Sequence, residues 1–362
     1  MLIIIIDIIF IVATYFLWNK YGKDSTLYNI EFESYPPMDL NSAEVGQIYK
    51  GYSEDTAIAS LVLCLANKGY LKIEKIKEEI NIGTYKKKSR SFKISKLKEY
   101  AGSNENEQVL FNELFSHSDE ITWNDLYDNF FIKLDRIKKQ YEENDKKIYE
   151  ENSLMHSSLI LSMILILFIV SMFSSPLTGK IIQRLISPIL LPLLYFIYKL
   201  ESIPKKVFLI LLEIPILLLC FLQGVAENTF ITIFNISTIT ILSFFLGIMR
   251  KKTVYNTELF RKIIGFKKFL NKATVLELQE LTNENPDYFY IVLPYAYALG
   301  IGNKLIKKFD NINLGIPEWF SGSIDYKTPK INRDLKITFE QIYVAMITHL
   351  ETFPEIMSKH SK

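Results

Sequence analysis

Residues 2–18 read LIIIIDIIFIVATYFLW, an apolar run that is interrupted only by Asp7. At about 1.5 Å per residue, a helix of this length just crosses the hydrocarbon core of a bilayer. No basic region precedes the run, no small-residue cleavage site ends it, and Lys20 and Lys23 follow it. Because basic residues stay on the cytoplasmic side, the sequence predicts a signal anchor at residues 1–18 with the N-terminus outside.

Further apolar blocks predict four more transmembrane helices, near residues 154–173, 181–199, 206–222 and 229–249. Basic residues lie between the third and fourth predicted spans and after the fifth, as the positive-inside rule requires. Pro188, Pro192 and Pro215 allow kinked or re-entrant helices in the middle pair. We therefore predict a multi-pass cell-membrane protein with an anchor (1–18), a cytoplasmic domain (19–153), a four-helix transmembrane region (154–249) and a cytoplasmic helical C-terminal domain (250–362).

Composition excludes several classes of protein. The chain has 42 Lys+Arg and 40 Asp+Glu among 362 residues, and this near balance disfavours a dedicated nucleic-acid-binding protein. Two cysteines cannot form a disulfide framework, and four scattered histidines do not form a zinc motif. The sequence also lacks a nucleophile elbow, a phosphate-binding glycine loop and an HExxH motif. We therefore expect no enzyme activity, no metal site and no cofactor.

The predicted cytoplasmic domain has the element order of a winged helix. Asn41 or Ser42 can cap a short helix, and Asp55 begins an apolar helix that ends at Gly69. YLKIEKI and SFKISKL alternate like two strands, and helices follow, the last a long amphipathic one from about Thr122. The predicted fold class is a mainly α membrane protein with about five transmembrane helices, a winged-helix-like α/β module and a helical C-terminal module.

Three separated stretches resemble a known family. They are ESYPPMDLNSAEVG (33–46), DTAIASLVLCLANKGYLKIE (55–74), and GFKKFL (265–270) followed by LPYAYALG (293–300) and PEWF (317–320). In this order they resemble the C-terminal half of the YciQ-like predicted membrane proteins, a bacterial domain family of unknown function. The resemblance implies an extracytoplasmic β-rich domain before the first span, whereas Met1 opens the span here. We therefore expect a short form or one half of a split gene. The resemblance implies no activity and no site residues, because none is established for the family.

Two basic segments are candidate binding surfaces. Residues 85–98, YKKKSRSFKISKLK, belong to the predicted basic wing, which could contact DNA phosphates or anionic headgroups, or could simply be solvated. The second segment, 250–272, combines basic residues with phenylalanines, so it could lie at the inner leaflet or be an ordinary amphipathic helix. We favour lipid contact for its basic residues, namely Arg250, Lys251, Lys252, Arg261, Lys262, Lys267 and Lys268.

Charges within the predicted spans are the remaining candidates. Asp7 and Arg184 lie at similar depth below the outer surface, so we expect an ion pair between their helices, which a double-mutant cycle would test. Glu213 lies in the middle of the fourth span beside Pro215, where it could serve transport, pair within the bundle or remain protonated.

The aromatic sequence LPYAYALG could serve helix packing or form a groove for a partner. Its candidate interaction residues are Leu293, Pro294, Tyr295, Ala296 and Gly300. Together these features favour an anchored scaffold or interaction protein of the bacterial cell envelope. The expected partners are the lipid bilayer and an envelope protein or a second copy of the chain. The alternatives are a small transporter or channel that uses Glu213 and a membrane-tethered DNA-binding regulator.

Overall fold

A computed structural model describes residues 2–23, 30–37, 40–82, 85–127, 130–173, 229–322 and 331–347. It is mainly helical, with one small mixed sheet. Contacts between residues divide the chain into two compact units. The first unit comprises Met1–Tyr28, Lys50–Tyr52 and Asp145–Glu258, and the second comprises Asn29–Tyr49, Ser53–Asn144 and Leu259–Lys362.

The helices and strands are numbered in chain order. The helices are α1 (Leu2–Leu17), α2 (Ser42–Lys50), α3 (Asp55–Asn67), α4 (Glu105–Leu114), α5 (Trp123–Leu126), α6 (Phe130–Ile148), α7 (Glu151–Phe173), α8 (Thr229–Ile248), α9 (Val254–Lys272), α10 (Val275–Glu284), α11 (Tyr288–Ala298), α12 (Gly302–Lys308) and α13 (Ile331–Ile347). The strands are β1 (Leu71–Ile82), β2 (Tyr85–Lys96), β3 (Glu120–Thr122) and β4 (Phe320–Gly322). A π-helical turn at Trp18–Gly22 continues α1, and a 3₁₀ turn at Phe309–Asn311 follows α12.

In the first unit, α1, α7 and α8 pack around an apolar core. Two rings from the π-helical turn complete the packing. The Trp18 and Phe245 ring centroids lie 5.6 Å apart, and Tyr21 stacks on His156 with ring centroids 4.0 Å apart. The buried core side chains of α7 and α8 include Ile160, Ile164, Leu167, Leu242 and Leu246.

Among the described residues, one helical stretch is long and apolar enough to cross a membrane, Ile4–Gly22. Helices α7 and α8 coincide with the predicted second and fifth spans, but their described apolar stretches, Glu151–Leu167 and Ser237–Ile248, are shorter. The predicted spans at 181–199 and 206–222 lie outside the described residues.

The second unit is built on the packing of α3 against α11. Both helices are apolar nearly all round, as expected for helices at the centre of a fold, and their side chains are largely buried. Asn67 at the end of α3 donates a hydrogen bond to the carbonyl oxygen of Tyr290 at 2.5 Å. Gly46 of α2 allows close approach, because a Cβ there would lie 2.9 Å from the Ala57 Cβ.

The sheet has the order β3-β2-β1-β4 and joins distant parts of the chain. β1 and β2 form the predicted antiparallel hairpin, with Ile73 opposite Ile94. β4 pairs with β1 in parallel, with Ile73 opposite Phe320, and β3 pairs with β2. Residues predicted to form two cytoplasmic domains therefore contribute to one compact unit.

One helix boundary differs from the prediction, and one of two predicted capping alternatives is confirmed. Thr122 begins only the short helix α5, where it forms a capping box with Asp125, and the long helix α6 begins at Phe130. The short helix α2 begins at Ser42, and Asn41 is its capping residue.

The segment that follows α1 and enters the second unit is held by hydrogen bonds to its backbone carbonyl groups. We call described residues 30–37 and 40–41 the strap. Tyr288 donates a hydrogen bond to the Ser34 carbonyl oxygen and Tyr295 donates one to the Leu40 carbonyl oxygen, both at 2.8 Å. Gly265 on α9 faces the strap so closely that a Cβ there would overlap the Glu31 carbonyl oxygen. Three helical residues therefore hold or closely approach its backbone, and the Tyr35 ring of the strap also contacts the Tyr288 ring, with centroids 5.3 Å apart.

We expect Gly265→Ala to destabilise the protein by about 1–3 kcal/mol, because the added methyl group overlaps backbone that cannot rotate away. This loss would exceed the gain of up to about 1 kcal/mol that alanine normally brings inside a helix. Thermal unfolding of the full chain in detergent measures the effect. The control is Gly315→Ala, where a Cβ would meet open space. Equal stability of the two variants would contradict the close approach.

Candidate functional site

Two helix N-termini meet in the second unit. Asn41 caps α2 in a capping box, since its side-chain oxygen accepts from the Glu44 amide and Glu44 accepts from the Asn41 amide, both at 2.9 Å. Asn104 caps α4 by accepting from the amides of Asn106 and Glu107 at 3.1 Å. Each cap supplies acceptors to amides that the helix itself leaves unpaired.

The two caps are also bonded to each other. The Asn41 side-chain amide donates to the Asn104 side-chain oxygen at 3.1 Å, and Asn104 in turn donates to Glu44 Oε1 at 2.8 Å. Asn106 donates to the same oxygen at 3.2 Å. This network fixes the start of α4 beside the end of the strap.

A buried carboxylate lies in the first turn of α4. Glu107 is 1% exposed, and both its oxygens accept from the Lys68 ammonium, at 2.6 and 2.8 Å. The Tyr100 hydroxyl lies 3.0 Å from Glu107 Oε2. The Lys68 side chain is 49% exposed. The carboxylate of the ion pair is therefore buried, whereas the side chain of its lysine reaches the surface.

Tyrosine rings and prolines form the walls of a cleft above this ion pair. The ring centroids of Tyr70 and Tyr100 lie 4.8 Å apart, and both rings contact Phe111. The Lys98 ammonium lies 4.8 Å from the centroid of the Tyr70 ring. The resulting cleft has a volume of about 760 Å³, and we call it the tyrosine cleft. Its lining comprises Tyr35, Pro36, Pro37, Leu40, Asn41, Lys68, Tyr70, Tyr100, Gly102, Ser103, Asn104, Glu107, Ile291 and Tyr295.

Three side chains of this region keep their protons at neutral pH. Burial, followed by the nearby Glu107 carboxylate, raises the pKa of Tyr100, so its hydroxyl remains a donor at neutral pH. Burial likewise raises the pKa of Tyr295, which keeps its proton for the bond to the strap. Burial also raises the pKa of the Cys64 thiol to about 11, so this thiol is neutral and a poor nucleophile.

Part of the predicted basic segment turns inward instead of facing lipid. Arg250 and Lys252 are buried, and their charged groups lie over the Tyr149 ring at 4.0 and 5.4 Å. Lys251 pairs with Glu150 at 2.8 Å. Stacking on an aromatic face and pairing with a carboxylate stabilise these charges within the first unit.

In the second unit, some basic residues of the same segment make hydrogen bonds within the fold and others are exposed. Lys267 donates to the Leu299 carbonyl oxygen at 2.8 Å and to the Tyr49 hydroxyl at 3.2 Å. Lys262 and Lys268 are exposed, and Arg261 is half-buried. Lipid contact by these three remains a prediction.

The predicted interaction motif packs inside its own unit. Leu293, Pro294 and Ala296 are buried, so their side chains form no exposed groove for a partner. Tyr295 binds the strap and lines the tyrosine cleft. Gly300 has a φ of 73°, a conformation that favours glycine, just after α11 ends.

The structure describes one of the three predicted intramembrane charges, so it does not test whether they lie together. Asp7 is buried on α1. Arg184 and Glu213 lie outside the described residues, so the Asp7–Arg184 pair and the role of Glu213 stay predictions.

Sequence reasoning missed the tyrosine cleft. Its ion pair joins Lys68 and Glu107, which are separated by a helix end and the entire hairpin. One local pattern was available, because Asn104 followed by Glu107 has the spacing of a helix N-cap and its N3 residue. That pattern predicts the start of α4 but not the partner of the carboxylate.

Comparison with known proteins identifies one family. A family model described as predicted membrane protein (DUF2207) C-terminal domain matches residues 29–309. No curated protein and no solved structure matches the chain. The matched range includes the strap, α3, the hairpin, α4 and α11, and therefore every residue that lines the tyrosine cleft.

We expect Lys68→Gln to lower the free energy of unfolding by about 1–3 kcal/mol, because it removes the cation that neutralises the buried Glu107 carboxylate. The double variant Lys68→Gln/Glu107→Gln should recover most of this loss, since two neutral amides need no counter-charge. Urea unfolding of the full chain in detergent, followed by tryptophan fluorescence, measures both.

Lys96→Gln is the matched control for this prediction. Its partners Glu99 and Asp119 are 81% and 72% exposed, so the change should cost less than about 1 kcal/mol. A loss for Lys68→Gln no larger than that for Lys96→Gln would show that the Glu107 pair is not an important contact.

Proposed function

The chain belongs to this family of predicted membrane proteins, and from this premise we propose that it is a membrane-anchored interaction protein without enzyme activity. In this proposal the second unit holds a partner protein of the cell envelope close to the bilayer. The partner contacts the tyrosine cleft. LPYAYALG, which was expected to contact a partner directly, instead supports this cleft from within.

One observation carries the proposal: the strap, which is held by hydrogen bonds, forms a wall of an open cleft. The candidate span ends at Gly22 and the strap begins at Ile30, so only a short segment joins them. The strap then supplies Tyr35, Pro36 and Pro37 to one wall of the cleft, while tyrosine hydroxyls hold its carbonyl groups. An anchor that leads directly into a rigid binding wall suits a protein that retains a partner at the membrane.

The proposal includes five spans, with the N-terminus outside and the second unit in the cytoplasm. Its support is the distribution of Lys and Arg in the connections between the apolar blocks. It also includes a winged-helix-like fold for α2, α3, the β1–β2 hairpin and α4, which follow one another in the order expected of such a domain.

Site-specific crosslinking in cells tests the proposal. A photo-crosslinking phenylalanine analogue replaces Tyr70 in the full chain, and a second variant carries it at Ile337, which is 44% exposed and does not line the cleft. We expect one recurrent envelope protein to be captured from position 70 and not from position 337. Capture of nothing from position 70, or of the same products from both positions, would contradict the proposed function.

A further inference from the structure

The tyrosine cleft exposes a lysine side chain, whereas the carboxylate in its lining is buried. Glu107 is almost fully buried and accepts from Lys68 and Tyr100, so its oxygens are already engaged. Glu44 behind it accepts from Asn104 and Asn106. Lys68 uses two N–H groups on Glu107 and retains a third, on a half-exposed side chain.

A second ammonium lies at the rim of the cleft. Lys98 is exposed and lies over the Tyr70 ring. Lys68 lines the cleft and Lys98 lies over one of its rings, whereas Glu107, the acidic residue of the lining, is covered by its donors. This arrangement complements an anionic group that enters the cleft next to Tyr70.

The walls fit an extended chain. Flat tyrosine rings beside rigid prolines form the kind of surface on which polyproline-type segments dock, because such segments lose little conformational entropy on binding. Tyr35 and Tyr70 retain exposed ring surface, and the exposed Gly102 and Ser103 add backbone polar groups along the lining. A segment in the cleft can therefore stack on rings and hydrogen-bond to backbone at the same time.

We propose that the tyrosine cleft binds an extended, acidic, proline-containing segment of a partner protein, with a carboxylate of that segment on the Lys68 ammonium. This inference rests on the proposed function, and it names the chemistry of the partner at the same site. The segment lies along Tyr35, Tyr70 and Tyr100, and Lys98 contributes a second positive charge at the rim.

Three labelled peptides test the inference. Each has nine residues with alternating prolines and one central tyrosine, and the remaining positions are all glutamate, all glutamine or all lysine. Fluorescence anisotropy measures their binding to the full chain in nanodiscs of phosphatidylcholine, a lipid without net charge. We expect the glutamate peptide to bind at least about tenfold more tightly than the glutamine peptide, as for a charge-assisted hydrogen bond, and the lysine peptide to bind most weakly.

Variants assign this preference to the cleft. Lys68→Gln/Glu107→Gln keeps the pair neutral and should weaken binding of the glutamate peptide about tenfold, to the level of the glutamine peptide, whose affinity stays unchanged. Tyr70→Ala should weaken both peptides. Lys304→Gln removes an exposed ammonium elsewhere on the same unit, which contacts Asn271, and should change neither.

Three results would overturn the inference. Equal binding of the three peptides, or binding of none, would exclude an acidic extended segment, and so would an unchanged glutamate preference in the double variant. If inorganic phosphate protects Tyr70 from chemical modification while no peptide binds, the site takes a small anion instead. A partner captured from position 70 without peptide binding refutes only this inference, whereas peptide binding without a captured partner refutes only the proposed function.

Discussion

The packing of α3 against α11 is the contact on which the second unit depends. Ile58, Leu61, Val62 and Leu65 of α3 are fully buried, and burial of each such side chain stabilises the fold by about 1.5–3 kcal/mol. Small residues permit the close approach of three helices, since a Cβ on Gly46 would lie 2.9 Å from that of Ala57 and 3.4 Å from that of Ala298. This contact joins parts of the chain that lie on either side of all the predicted middle spans.

The tyrosine cleft follows from this packing. The end of α3 positions Lys68, where Gly69 adopts a φ of 70° and turns the chain into β1. On the other helix, Tyr288 and Tyr295 of α11 hold the strap by its carbonyl groups. Helix α11 therefore positions the cleft wall formed by the strap, and helix α3 positions the wall formed by Tyr70. A change that separates α3 from α11 would open the cleft and release the strap together.

Local features of this fold could be predicted from the sequence, and non-local ones could not. The apolar helix that ends at Gly69 and the hairpin that follows it have clear local patterns, and both are confirmed. β3 and β4 have three residues each and pair with distant strands, so they are too short for a sequence periodicity to predict them. The break between α5 and α6 escaped the prediction because the apolar spacing of 123–141 continues across it.

The candidate site shows the same division. Charge counting identified Arg250 and Lys252, but it could not show that the Tyr149 ring lies beneath both. For the aromatic motif around Pro294 the sequence left packing and partner contact open, and the fold shows that most of the motif is buried. The Lys68–Glu107 pair depends on long-range contacts, and neither residue belongs to a motif that reaches the other.

Hydrogen exchange of the full chain in nanodiscs, followed by mass spectrometry, tests the central claim most directly. If α3 and α11 form one cooperative pair, the amides of residues 55–67 and 288–298 exchange only through a shared opening, with the same free energy. Exchange of residues 288–298 orders of magnitude faster than that of residues 55–67 would contradict the account, because α11 would then open without α3.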